Sequence, residues 1–212
     1  MESITAKVTG MLADARHSFD LATATVLAGV DPDEVRDEIY ATDQRINRTE
    51  QELRRELIVH VSVQGAEDIG DVLGYILLIK KIERIGDQAK NVFDLATEGV
   101  SLAGAPDAAG FVEDHQAISA MMDELAGLLA NQDVDRVQDF RARADEMRAI
   151  QEQHIRTLMH SDEPGHWAVP RAVLHRYLKR IIANLAGVAT TVTEPIQYQD
   201  YFDEGATDIT DD

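Results

Sequence analysis

The sequence predicts an all-α protein made of two three-helix units in tandem, and three observations carry that expectation. Turn chemistry is confined to a few places: Asp31-Pro32-Asp33, Gln64-Gly65, Ala103-Gly104-Ala105-Pro106-Asp107, Asn131-Gln132-Asp133 and Asp162-Glu163-Pro164-Gly165. The stretches between them are rich in helix formers and lack the period-two alternation of strands. The order long helix, long helix, long helix also occurs twice along the 212 residues, the internal repeat expected of a tandem architecture.

The first helix is placed at 4–29, up to the Asp31-Pro32 break. The second is placed at 32–64: Asp31 can cap it, Pro32 suits its first turn, and Asp33 and Glu34 complement its dipole. In the third, at 67–99, Leu78, Ile82, Ile85, Ala89, Val92 and Ala96 advance by alternating steps of four and three. That spacing makes an apolar seam for packing against antiparallel neighbours. The fourth helix is placed at 108–131. Asp133 can open the fifth, at 133–160, where Phe140, Ala144, Met147, His154 and Leu158 form a looser stripe. Pro170 sits near the start of the last, at 167–198, with Trp167 beside it as a packing anchor. The expected division is 1–103 for the first repeat, 104–204 for the second and 205–212 for a disordered acidic tail.

Charge narrows the possible partners. Acidic residues number 39 against 20 basic ones, a formal net charge of −19, and the lysines are Lys7, Lys80, Lys81, Lys90 and Lys179. Such a field repels phosphate backbones and anionic lipid, which disfavours direct nucleic-acid binding and polybasic membrane docking. It favours cations and basic protein surfaces. The acidity itself is open to two explanations, adaptation to high salt or general solubility. With no cysteine, disulfides, thiolate metal sites and cysteine nucleophiles are excluded together. The start, Met1-Glu2-Ser3-Ile4, lacks the basic and apolar regions of a signal peptide, and runs such as Tyr75 to Ile79 are too short to span a bilayer. The protein is expected in the cytoplasm.

Two rows of polar residues stand out. Glu83 and Asp87 are one turn apart on one face of the third helix, and Asn91 extends the row by another turn. On the second helix Asp43, Asn47 and Glu50 are spaced by four and three. If the two helices form an antiparallel hairpin turning near Ala66, Glu50 and Glu83 lie almost equally far from the turn, and the rows come out nearly level. Carboxylates so clustered repel unless solvent, protons or cations compensate, so they invite a metal. All-oxygen ligands suit Mg²⁺, Ca²⁺ or Mn²⁺, and iron also fits. The competing reading is a solvated face on an acidic protein.

Little points to an enzyme. The one Glu-x-x-His spacing, Glu163-Pro164-Gly165-His166, falls in a turn, whereas a ferritin-like di-iron centre carries that spacing on helices. His154 and His160 read as core-edge or surface residues. No Gly-rich phosphate loop, His-Glu-x-x-His or Gly-x-Ser-x-Gly occurs, and no nucleophile, base and oxyanion site assembles.

The segment Ile82-Glu83-Arg84-Ile85-Gly86-Asp87, followed by Asn91, resembles the most recognisable stretch of the PhoU family of phosphate-transport regulators. Asp43-x-x-Ile46-Asn47-x-x-Glu50 on the preceding helix resembles that family's partner motif. The resemblance implies tandem three-helix bundles in a six-helix PhoU-like architecture covering most of the chain. In the second half, Tyr177-Leu178-Lys179-Arg180-Ile181-Ile182-Ala183 stands where the second copy would fall. There Lys179 replaces the Glu, Ala183 the Asp and Gly187 the Asn, while Asp145 matches, Ala149 departs and Glu152 stands in for the last acid of the partner row. Lys179 is therefore expected to supply positive charge itself, pairing with Asp145 or Glu152.

By the resemblance, Asp43, Asn47, Glu50, Glu83, Asp87 and Asn91 hold metal. The family carries iron or zinc clusters on the bundle surface, although oxygen-only ligation makes zinc the less natural choice, and Mg, Mn, Fe and Ca stay open. The resemblance implies a non-enzymatic negative regulator of phosphate uptake and signalling. Its implied partners are phosphate ABC transporter components and a sensor histidine kinase, with membrane association only through them. Homodimerisation is expected from the long apolar helices. Two alternatives remain: an accessory or chaperone-like subunit of another anion permease, and a helical-bundle metalloenzyme.

Overall fold

The computed structural model describes residues 2–131 and 134–193. Its helices are α1 (Glu2–Leu27), α2 (Pro32–Gln64), α3 (Ile69–Thr97), α4 (Ala108–Asn131), α5 (Val134–Met159) and α6 (Gly165–Thr193), with no strand among the described residues. The all-α expectation holds. Residues 194–198 of the predicted last helix and the tail 205–212 lie outside the described residues.

Helix ends follow the local chemistry. The Asp31 carboxylate accepts from the Asp33 N–H at 3.0 Å, with Pro32 in the first turn of α2, which satisfies one of the donors a helix start leaves unpaired. Gly65, at φ +90°, ends that helix in a backbone region L side chains disfavour, and its N–H donates to the Val61 carbonyl at 3.0 Å. The chain then makes a 3₁₀ turn at Ala66–Asp68, so α3 starts two residues later than predicted. His60 and the Asp68 carboxylate, 2.8 Å apart, close that turn. In contrast, α6 starts two residues early, because the Pro164 carbonyl accepts from the N–H groups of Trp167 (2.8 Å) and Ala168 (3.0 Å).

The six helices share one continuous hydrophobic core. In the first half α1 packs on α2 and α3; in the second, α5 lies chiefly against α6, which also meets α4. The halves join where α3 packs along α6 and α1 along α4. All six seam residues of α3, Leu78, Ile82, Ile85, Ala89, Val92 and Ala96, are buried.

The stripe predicted for α5 needs correction. Phe140 and Ala144 are buried and Met147 and Leu158 half-buried, but His154 is exposed. The fully buried residue in that stretch is Gln151. A polar amide can occupy the inward position because both its ends are satisfied: Nε2 donates to Asp114 Oδ2 at 2.8 Å and Oε1 lies 2.6 Å from His175 Nδ1.

Two glycines mark close approaches. A Cβ on Gly86 would lie 2.9 Å from Ile46 Cδ1, so the glycine of Ile85-Gly86-Asp87 sets how closely α2 and α3 approach. A Cβ on Gly187 would meet the Lys81 side chain at 2.9 to 3.2 Å, so a lysine stem from α3 fills the place where α6 has no side chain.

Gly86→Ala tests the first contact. Helix propensity alone favours alanine by about 1 kcal/mol, whereas overpacking a core contact costs about 1–3 kcal/mol. Gly86→Ala is therefore expected to lower the urea midpoint in the parent and to raise it in an Ile46→Val background, where the clashing methyl is gone. A deficit of equal size in both backgrounds would show that the two residues do not couple.

Candidate functional site

The two polar rows come together along the α2–α3 hairpin. Lys80 joins them at one level: its Nζ lies 2.6 Å from Glu83 Oε2 and 3.9 Å from Glu50 Oε1. A second lysine joins them further along, with Lys90 Nζ 3.8 Å from Asp43 Oδ2. Within α2, Asn47 Nδ2 donates to Asp43 Oδ2 at 3.3 Å, and Arg54 pairs with Glu50 Oε1 at 2.6 Å. Asp87 stands among carboxylates. Burial pushes its pKa above the ordinary value, and the charges of Glu83 and Asp43 add to that, while Lys80 and Lys90 oppose it. Asn91 is half-buried one turn beyond Asp87.

Burial distinguishes Glu50 and Glu83 from a solvated acidic face, whereas Asp87 is exposed and Asp43 and Asn47 are half-buried. Glu50 is 6% and Glu83 8% exposed, values far below those of ordinary surface acids. Glu50 Oε1 and Glu83 Oε2 are fully covered, yet neither accepts a hydrogen bond of good geometry. Their compensation is the ionic contact with Lys80 and Arg54. Charges so enclosed need a countercharge, because burial without one costs several kcal/mol.

The donor set, carboxylate and amide oxygens, fits a hard cation. The arrangement does not yet form a ligand set: among the described residues, no group of three or more His, Asp or Glu side chains is placed to hold a metal ion. Lysine ammonium groups take the positions beside the carboxylates instead. These cations were absent from the reading of the sequence, although their spacing shows them. Lys80 lies three residues before Glu83 and Lys90 three after Asp87, distances that place side chains on one helix face.

The corresponding place in the second half is closed in a similar manner. Lys179 Nζ donates to Glu152 Oε2 at 2.8 Å, as expected of a lysine in the motif's Glu position, and that contact holds the Glu152 pKa below the ordinary value. Asp145 turns instead to Arg148, 3.1 Å away on its own helix.

Two substitutions test these countercharges. Lys80→Met is expected to lower stability at neutral pH by about 2 kcal/mol, less than the full cost of breaking a buried pair because Lys80 is partly exposed. The sign with pH follows from Asp87. A carboxyl whose folded pKa is raised binds its proton more tightly when folded, so its contribution is present in acid and is lost as pH rises through that value. Urea unfolding of Lys80→Met should therefore approach the parent as pH falls into the carboxylate range, and a pH-independent deficit would contradict this. Lys179→Ala is expected to cost about 0.5–1 kcal/mol at low salt, shrinking as salt is added. Thermal stability unchanged at every salt concentration would remove the role assigned to Lys179.

Comparison with known proteins places this geometry. The PhoU domain family model matches residues 5–96, a span that includes both rows. No curated protein matches the chain in sequence. In fold, the chain is similar to the crystal structure of PhoU from Pseudomonas aeruginosa, with a TM-score of 0.72 over 93% of this chain and 95% of that one, at 18% identity. An identity so low speaks to fold alone. Among the described residues no helix is long and apolar enough to cross a membrane. Residues 5–96 thus match the PhoU domain model, within a chain whose helical-bundle fold is similar over most of its length to that of the Pseudomonas aeruginosa PhoU structure.

Proposed function

We propose that this protein is a non-enzymatic negative regulator of phosphate uptake and phosphate signalling, working in the cytoplasm as an adapter to a phosphate ABC transporter and a sensor histidine kinase. The observation that carries the reading is that Asp43, Asn47, Glu50, Glu83, Asp87 and Asn91 all fall inside the PhoU domain at 5–96 and cluster along one hairpin. In an adapter, such a cluster is a place where charge state can be read without chemistry being done.

The proposal includes a divalent cation or iron on this row, held by the carboxylates with the two amides beside them. Cation and lysine are alternatives there, since Glu83 Oε2 cannot face both Lys80 at 2.6 Å and a metal. Loading would require Lys80 to swing into solvent, which its partial exposure and flexible stem permit. A second reading, an accessory subunit of another anion permease, draws support from the second half, where Lys179 pairs with Glu152 in place of the motif's acid. Homodimerisation through an apolar helix face remains part of the proposal.

Elemental mass spectrometry on untagged protein, before and after loading with iron, manganese and magnesium, tests the cation. Stoichiometric metal in the parent and none in Glu83→Ala/Asp87→Ala is the expected result; no metal in either would leave the lysines as the permanent countercharge. The partners are tested by affinity purification from cells grown in high and low phosphate. Recovery of phosphate transporter subunits and a histidine kinase, stronger in high phosphate, is expected. Recovery of an unrelated permease would favour the second reading.

A further inference from the structure

We propose that the second bundle contains a binding pocket for a small arylalkylamine, built where the Asp114–Gln151–His175 chain meets the aromatic side chains of Phe111, His154 and Trp167. The pocket, 530 Å³ in volume, lies between α4, α5 and α6. That is within the range of small-molecule sites. It is remote in sequence from the acidic rows of α2 and α3, and nothing in the regulator reading uses it.

The hydrogen-bond chain fixes what the pocket offers. Asp114 Oδ2 can only accept from Gln151, so Gln151 presents Nε2 to it at 2.8 Å and turns Oε1 toward His175, 2.6 Å from Nδ1. An amide oxygen can only accept, so the proton of His175 sits on Nδ1. The imidazole is neutral at pH 7, since burial pushes its pKa down to about 4. Nε2 therefore carries a lone pair and has no hydrogen-bond partner among the described residues, on a ring that lines the pocket. The ring is held on both sides, with its centroid 4.7 Å from that of His154 at an interplanar angle of 11° and 4.4 Å from that of Phe111. His175 is 7% exposed and Gln151 0%. Nε2 is not among the fully covered polar atoms that lack a partner, so it opens to the pocket as a fixed acceptor that a ligand N–H can meet.

The same accounting excludes anions. Arg171 is the one guanidinium in the lining, and its charge is already paired with Asp107. Three of its five N–H groups are taken, by Asp107 through Nε at 2.6 Å and Nη2 at 3.0 Å and by the Trp167 carbonyl through Nη1 at 2.9 Å, while its plane covers the Trp167 ring at 4.1 Å. Asp107, Glu113 and Asp114 outnumber it in the lining. Phosphate, nucleotides and carboxylates would find the one guanidinium already paired with a carboxylate and would face net negative charge. A flat apolar ring carrying an ammonium suits the lining: the ring fits beside Phe111, Ile150 and Leu158, the ammonium is attracted by Asp114 and Glu113, and His175 Nε2 offers an acceptor.

Trp167 is the only tryptophan, so its fluorescence reports on this pocket alone. Titration of the full chain with phenethylamine, under selective tryptophan excitation, should give a saturable change in emission. Phenylethanol should bind at least about tenfold more weakly, having no charge to meet the carboxylate, and phenylacetate and inorganic phosphate should give no saturable change. Asp114→Asn should weaken phenethylamine by about tenfold or more, with folding checked by circular dichroism. Should that variant not fold, the exposed Glu113→Gln decides, with an expected weakening of about threefold. A response that never saturates, phenylacetate binding as tightly as the amine, or unchanged affinity in the folded variants would each overturn the proposal. None of these readouts depends on metal, transporter or kinase, so failure here leaves the regulator reading where it stands.

Discussion

Everything in this molecule is arranged around the burial of α3. That helix is packed by α1 and α2 within its own half and by α6 of the other, so its apolar seam must satisfy neighbours on more than one side at once. Only a narrow strip is left for polar groups, and it faces the α2–α3 groove. Glu83 and Gln88 on α3 are buried, and the row that Glu83 begins runs along a helix-to-helix contact to Asp87, which is exposed. Glu83 is enclosed because its turn of α3 lies against α2, while Asp71, Arg84 and Asp87 on the same helix reach water.

Once charges are enclosed, the question is what neutralises them. Two lysines and an arginine do so here, in a protein whose formal charge of −19 makes every local cation unusual. Neutralisation by lysine differs in kind from neutralisation by a bound ion. A tethered ammonium is always present at high effective concentration, whereas an ion depends on its free concentration and on competing ligands. The second half has gone further toward the tethered form, with Lys179 standing in the acid's own position and bonded to Glu152.

The fold was legible because its signals are local and periodic. The α3 seam follows from steps of three and four, the start of α2 from Asp31-Pro32, and the level meeting of the two rows from equal distances to the turn. What escaped was long-range. Gln151 reads as a surface amide until Asp114, 37 residues earlier, and His175, 24 residues later, are placed at its two ends. Periodicity assigns the inward positions to apolar side chains, so it chose His154 in its stead. Lys80 and Lys90 lay at spacings that can be read, but a lysine reaches across more than a turn. Which carboxylate it chooses is decided by the groove, and the groove depends on Gly86 giving way to Ile46.

The stem of Lys81 seated against Gly187 has a mechanical meaning. A side chain from one helix lodged in the notch of another acts as a peg: α3 and α6 can tilt together, but sliding one along the other would drive the stem into the residues on either side of the notch. The two halves of the chain each supply one side of that contact, Lys81 from α3 and Gly187 from α6.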